Sequence, residues 1–312
     1  MKALVIRLSS IGDIVLATPV LRCLHQQQGA EVHVLTKPAF ALLLQGNPHV
    51  AKVHTWQGSH RHTLSLLVQE RYDFVADLQR NRRSRRLARA LHTRHATFRK
   101  EDLRRLLCVA LKRDCCTGLN VAQRYFGAVR TLGVRDDGGG LECFFPNEKP
   151  PMENYVAVVC GAQHATKQIP LDKLLLLCAR SIRPVALIGG AAEAERLKGT
   201  SLPPNTTNFC GATTLAQSAN LIRHAAKVVT PDTGMMHIAA AYQRDAIVVW
   251  GCTTPQMGFS PFRAPCRNME VTLPCRPCSR FGLSRCPKRH YNCMRLQDWD
   301  AIVALMNASD PL

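Results

Sequence analysis

Short apolar, β-rich runs recur along this chain, each separated from the next by a longer stretch of helical spacing, and that alternation limits the fold more than any other feature. The runs are Ala3–Leu8, Glu31–Leu35 and Phe74–Leu78, then Val156–Cys160, Val185–Ile188, Val228–Thr230 and Ala246–Trp250. Strands alternating with helices predict βαβ units and parallel sheets. Between the two series lies Phe145-Pro-Asn-Glu-Lys-Pro-Pro-Met-Glu-Asn154, polar and rich in proline, which can continue neither a helix nor a central strand. At 312 residues the chain is also about twice the usual single-domain length. We therefore expect an α/β protein of two doubly wound domains, residues 1–148 and 149–312. After Trp250 the sequence turns to Gly, Pro, Cys and Arg without periodicity, until Leu296–Met306 resumes a helical pattern.

In open α/β sheets ligands sit at the carboxyl ends of the strands, so the loops that follow strands are where chemistry is expected. The first strand runs into Ser9-Ser10-Ile11-Gly12-Asp13-Ile14-Val15-Leu16-Ala17-Thr18-Pro19. A Ser/Gly loop before a helix exposes backbone N–H groups to an anion or a close-packed substrate, and Ser10 and Gly12 are its candidate contacts. Asp13 has two readings here: it stabilises the start of its own helix, or it acts on a substrate. The loop is not the G-x-G-x-x-G of dinucleotide binders, which argues against a nicotinamide or flavin enzyme.

In the second half, the strand ending at Thr230 leads into Pro231-Asp232-Thr233-Gly234-Met235-Met236-His237. Asp232 or Thr233 can cap the helix, Gly234 allows close approach, and the free N–H groups form a cradle for a diphosphate. His237, one turn in, is either structural or a donor to a phosphate or sugar oxygen. The loop Gly161–Pro170 brings Thr166 and Lys167 ahead of a helix beginning near Leu171. An ammonium there would meet the charge that builds on a departing diphosphate.

The chain holds 41 Lys and Arg against 22 Asp and Glu, a formal charge of +19. Residues 80–105 alone contain eleven of the basic residues, among them Arg80, Arg82 and Arg83. Such a field attracts phosphates on nucleic acid, on an anionic membrane face or on a charged glycolipid, and charge alone does not choose among them. No apolar run reaches the roughly 18 residues that a spanning helix needs, which argues against an integral membrane protein. Arg7 and Asp13 interrupt the apolar N-terminus before a signal-peptide core, as in the first strand of a cytoplasmic enzyme. Most of the fourteen cysteines stand singly in apolar segments, as small hydrophobes rather than a secreted disulfide scaffold. Cys275, Cys278, Cys286 and Cys293 are clustered, with His290 among them; the spacing suits zinc, an iron–sulfur group, or free thiols or a labile disulfide.

Together these loops resemble glycosyltransferase family 9, the ADP-heptose:lipopolysaccharide heptosyltransferases. The opening Arg7-Leu-Ser-Ser-Ile-Gly-Asp-Ile-Val-Leu-Ala-Thr-Pro19 is similar to that family's N-terminal signature, and Asp232-Thr-Gly-Met-Met-His-Ile-Ala-Ala240 to its donor-site signature. Asp77–Ser84, Trp250-Gly251 and Thr254-Pro255 also sit where the family has similar loops. The resemblance implies a GT-B architecture, two Rossmann-like domains facing across a cleft, the acceptor held by the first and the nucleotide sugar by the second. It implies an inverting transfer of heptose from ADP-heptose to a lipopolysaccharide core acceptor of the lipid A–Kdo type, with no cofactor required. By motif position Asp13 matches the general base, Lys167 the donor-phosphate lysine, and Asp232, Thr233, Gly234 and His237 the donor-binding turn. Glu193 matches an acidic residue near the nucleoside, and Thr166 lies beside Lys167 in the donor loop. Arg80, Arg82 and Arg83 are candidates for acidic groups of the acceptor, because a guanidinium fork fits carboxylate and phosphate bidentately. At Ile169 relatives often carry Trp. The expected place of work is the cytoplasmic side of the inner membrane, in peripheral contact with it.

The rival readings are a related transferase using another nucleotide sugar, and a basic nucleic-acid-binding protein. The second would show salt-sensitive, sequence-indifferent binding, and the scarcity of aromatics in the basic segment speaks against it, so no nucleic-acid partner is expected.

Overall fold

The computed structural model describes residues 1–309, so positions 310–312 of the second expected domain lie outside the described residues. The chain divides into two compact units, Met1–Lys100 with Leu119–Phe145, and Glu101–Gly118 with everything from Pro146 onward. Segment 101–118 therefore interrupts the first unit in sequence but belongs to the second. Arg105 ties it there, donating from Nε and Nη2 to the Met257 carbonyl at 3.2 and 2.9 Å and stacking over the Phe259 ring.

The first unit begins with β1 (Lys2–Ile6), α1 (Ile11–Val15), α2 (Thr18–Gln28) and β2 (Glu31–Thr36). It continues through β3 (Lys52–Thr55), α3 (His60–Val68), β4 (Phe74–Asp77), α4 (Arg82–Ala90) and β5 (Arg94–Thr97). Next in the chain comes α5 (Asp102–Leu111), in the second unit, and then α6 (Val121–Tyr125), back in the first. Its five strands are parallel in the order β3-β2-β1-β4-β5. β1 lies at the centre, and Ala3 to Ile6 are fully buried, as a strand with both faces covered must be.

The second unit repeats the plan with β6 (Val156–Val159), α7 (Leu171–Arg180), β7 (Val185–Ile188), α8 (Ala191–Leu197), β8 (Thr206–Asn208) and α9 (Leu215–Arg223). It ends with β9 (Lys227–Pro231), α10 (Gly234–Ala241), β10 (Ala246–Val249), β11 (Cys266–Met269), α11 (Asn292–Arg295) and α12 (Trp299–Asn307). Its sheet is parallel in the order β11-β10-β9-β6-β7-β8. Val156, Val158, Leu174, Leu177, Val229, Ile247, Ile302 and Met306 form its core, each 0 % exposed. Fully burying an aliphatic side chain of this size stabilises a fold by about 1.5–3 kcal/mol.

Both sheets are doubly wound with one topological switch point each, between β1 and β4 in the first and between β6 and β9 in the second. In this class of sheet the crevice for ligands opens at the carboxyl ends of those strands. Among the described residues no helix is long and apolar enough to cross a membrane.

Candidate functional site

At the first switch point, β1 gives way to Arg7-Leu8-Ser9-Ser10 and the short helix α1. Asp13 sits in its first turn and is only partly exposed. Its Oδ2 accepts from the Ser10 backbone N–H at 3.2 Å and the Ser10 hydroxyl at 3.0 Å, so the carboxylate does close the start of its own helix. The same oxygen pairs with Arg7 Nη2 at 2.6 Å, and Tyr125 Oη donates to Oδ1 at 3.3 Å. Burial pushes the Asp13 pKa up; the Arg7 guanidinium and the Ser10 hydrogen bonds outweigh it, and the net effect is a lowered pKa. Arg7 is itself held, donating from Nη1 to the Leu78 carbonyl at 2.7 Å just past β4. Gly12 is buried in α1, and Ser10 is exposed.

Across the switch point, Asp77 ends β4 and shapes the turn that follows. Its Oδ1 accepts from the N–H groups of Gln79 and Arg80 at 3.0 and 2.8 Å, and its Oδ2 from the Ser84 hydroxyl at 2.9 Å. Asn81 caps α4 by accepting from Ser84 N–H. That turn brings Arg82 and Arg83 to a pocket of about 360 Å³, shared with Leu8, Ser9, Lys37, Gln79 and Asn81. Arg80 takes a left-handed backbone conformation, φ 49°, and is not among the pocket's lining residues. Of the three arginines singled out by sequence, two meet at one pocket. Lys37, which sequence reading missed, joins them because it directly follows β2.

At the second switch point, Lys167 follows β6 and Asp232 follows β9. Lys167 Nζ lies 2.5 Å from Asp232 Oδ2, and the Thr253 hydroxyl donates to the same oxygen at 2.8 Å. Thr233 is the N-cap residue of α10, with Gly234 as the first helical residue and His237 buried one turn on. An ammonium and the start of a helix thus flank one carboxylate where the fold places ligands.

A family model described as glycosyltransferase family 9 (heptosyltransferase) matches residues 144–285, the stretch holding Lys167, Asp232 and His237. Over that stretch the chain is similar to glycosyltransferase family 9. It is similar to lipopolysaccharide heptosyltransferase 1 of Pseudomonas aeruginosa, at 24% identity over 306 residues, covering 89% of this chain and 86% of that protein. A shorter stretch of 79 residues is 40% identical to lipooligosaccharide heptosyltransferase 2 of Haemophilus influenzae, covering 23% of this chain and 22% of that protein. The solved structure of E. coli ADP-heptose lipopolysaccharide heptosyltransferase II matches with a TM-score of 0.71 at 18% identity, covering 99% of this chain and 100% of that one. The fold is accordingly that of the GT-B glycosyltransferases, two parallel-sheet α/β units, and the chain is a glycosyltransferase of the heptosyltransferase type.

The other candidate residues are less open to a ligand. The Thr166 hydroxyl is buried and already used, accepting from Leu283 N–H at 2.8 Å, donating to the Leu283 carbonyl at 3.1 Å and lying 3.1 Å from Cys252 Sγ. A side chain at Gly251 would collide with the Thr166 carbonyl, so that glycine lets the two loops touch. Glu193 accepts from Gly190 N–H at 2.9 Å, capping α8, and packs against Gly161 and Gly189 past the ends of β6 and β7. Ile169 is 0 % exposed and part of the second unit's core.

Of the terminal cysteines, Cys275 Sγ lies 3.9 Å from His290 Nε2, and Cys286 and Cys293 are buried. Cys278 instead bonds the thiol of Cys252, which the sequence had left unremarked. Hydrogen bonds from Cys278 and Thr166, with Lys167 close by, draw the Cys252 thiol pKa down. Ligand sulfurs on one zinc stand about 3.8 Å apart. Among the described residues, the groups whose ligand atoms all lie within 4.8 Å of one another do not include these four.

Proposed function

We propose that this enzyme moves heptose from ADP-heptose onto a lipopolysaccharide core acceptor of the lipid A–Kdo type, with inversion at the anomeric carbon. The observation that carries the reading is the meeting of Lys167 with the first turn of α10 at the switch point of the second unit. Asp232, itself held by the Thr253 hydroxyl, keeps the ammonium in place, and the N–H groups at Thr233 and Gly234 add donors beside it. A diphosphate bound there leaves more easily, because these groups stabilise the charge it gains as the glycosidic bond breaks. The names of the relatives supply the sugar and the nucleotide; the residues supply a diphosphate site.

In the first unit Asp13 is assigned as general base. It accepts the proton of an acceptor hydroxyl while that oxygen attacks the anomeric carbon on the face opposite the diphosphate, and ADP departs. Arg82, Arg83 and Lys37 bind the acceptor's phosphates or acidic sugars, as bidentate and point-charge partners. Arg80 contributes from beside that pocket. Glu193 and His237 belong to the donor half. The proposed chemistry routes no step through a metal or cofactor, and the terminal cysteines take no part in it.

The proposed acceptor is lipid-linked, so the enzyme works in peripheral contact with the inner membrane. Helix α5 supports this with an inverted pattern. Its cation Arg105 points inward, whereas Leu103, Leu106, Leu107 and Leu111 are 49–77 % exposed, next to Arg104, Lys112 and Arg113. An apolar strip edged by cations suits the anionic surface of a bilayer.

Purified protein incubated with ADP-heptose and, separately, with UDP- and GDP-sugars tests the donor. Thermal stabilisation by ADP-heptose, and ADP release only when a lipid A–Kdo acceptor is added, is the expected result. Stabilisation and turnover with a different nucleotide sugar would replace heptose in this reading.

A further inference from the structure

We infer that the first unit carries a second site, separate from sugar transfer: a divalent transition-metal site, best matched by zinc, formed by His33, His54 and Glu70 with Tyr72 at a fourth corner. His33 lies on β2 and His54 on the neighbouring β3. Glu70 and Tyr72 lie in the turn entering β4 at its amino end, whereas Asp13 and the arginine pocket follow carboxyl ends. The ligand atoms of the two histidines and the glutamate all fall within 4.8 Å of one another.

The spacing fits a tetrahedral ion. Two ligand atoms on such a zinc, each about 2.1 Å from the metal, stand about 3.4 Å apart. Here His33 Nδ1 and His54 Nε2 are 3.1 Å apart, and the Glu70 oxygens lie 3.8 and 3.6 Å from them. Tyr72 Oη is 3.0 Å from each nitrogen. His33 Nε2 lies 3.0 Å from Glu31 Oε1, so a proton held there turns the Nδ1 lone pair inward. A carboxylate behind a ligating histidine is the usual outer support of such sites. The Glu70 carboxylate accepts hydrogen bonds from the ammonium groups of Lys52 and Lys2.

Those two ammoniums are what the cation must displace. Lys52 reaches Glu70 Oε1 at 2.5 Å and Lys2 reaches Oε2 at 3.1 Å, but the Lys52 side chain is 55% exposed and can turn into solvent. The bound ion would tie β2, β3 and the entry to β4 together, a stabilising role outside the transfer chemistry.

The test is titration of the untagged, chelator-stripped full chain with Co²⁺ and with Zn²⁺. One equivalent of Co²⁺ should give the visible bands of a tetrahedral nitrogen–oxygen site without a thiolate-to-cobalt band, and Zn²⁺ should raise the melting temperature. Glu31→Gln, at an exposed position, should weaken Co²⁺ binding about 10–100-fold, and His54→Gln should weaken it further. Should His54→Gln not fold, Glu31→Gln decides alone. No stoichiometric binding, a spectrum of thiolate ligation only, or unchanged affinity in Glu31→Gln would overturn the site.

Discussion

Lys167 and Asp232 form an ion pair 2.5 Å long whose side chains are 12% and 9% exposed, joining the loop after β6 to the loop after β9. The lysine therefore has two duties, one in the fold and one in the proposed reaction. Removing one partner of a buried pair strands the other charge, which costs about 3 kcal/mol. Lys167→Ala should lower the melting temperature, weaken nucleotide-sugar binding, and slow turnover about ten- to a hundredfold, the worth of one charge-assisted hydrogen bond. Calorimetric binding of the donor, measured well below the variant's melting temperature, separates the two effects. Lower stability with unchanged donor affinity and turnover would leave the lysine a structural part only.

Both sheets were legible in the sequence because their central strands are buried on both faces and so read as continuous apolar runs. The strands not foreseen are β3, β5, β8 and β11, and these are the four edge strands. An edge strand pairs on one side only, and Arg94–Thr97 or Thr206–Asn208 can stay polar and half solvated. The loops after strands were equally legible, because their Ser, Gly, Asp and Pro residues mark helix starts. Side-chain partnerships between distant loops were not. Nothing in the spacing of Arg7, Tyr125 and Asp13, or of Cys252 and Cys278, announces that they meet. The attachment of α5 to the second unit rests likewise on long-range contacts, from Arg105 to Met257 and Phe259 and from Lys112 to Pro277.

The arginine-rich segment makes a graded prediction. Arg82 and Arg83 line a pocket with Lys37, while Arg80 lies outside its lining. Replacing Arg82, Arg83 and Lys37 by Ala should raise the acceptor's apparent KM by tenfold or more, each lost phosphate contact being worth about 1.5–3 kcal/mol, and leave donor affinity nearly unchanged. Arg80→Ala should do less to acceptor KM. A larger effect on the donor would reverse the roles given to the two units, and a matching loss of RNA or DNA binding would favour the nucleic-acid reading.

The exposed leucines of α5 predict a membrane effect that leaves the chemistry alone. Leu106→Ser with Leu107→Ser removes apolar surface from a face already in water, so folding should be nearly unaffected. Sedimentation with vesicles containing anionic lipid should fall severalfold, and turnover on a soluble, delipidated acceptor should stay as before. Equal vesicle binding by variant and parent would remove α5 as the contact.

Asp13 carries the sharpest prediction, because its helix-start hydrogen bonds with Ser10 leave its proposed role as base to be tested beside them. Asn caps nearly as well as Asp, yet Asp13→Asn also takes the partner from the buried Arg7 guanidinium, so a loss of stability is expected whichever role is true. Stability alone therefore decides nothing. As general base, the variant should still bind donor and acceptor while turnover falls by roughly 10²–10⁴. The pH profile gives the independent check. Arg7 and Ser10 hold the folded pKa below the ordinary 3.8, so the carboxylate is ionised at neutral pH, and its contribution to stability is present above that value and lost as pH falls through the lowered one. The limb of kcat/KM due to Asp13 must likewise lie below about pH 4. A limb near pH 6 that disappears in Asp13→Asn would contradict the Arg7 pairing, and near-normal turnover in the variant would remove Asp13 from the reaction.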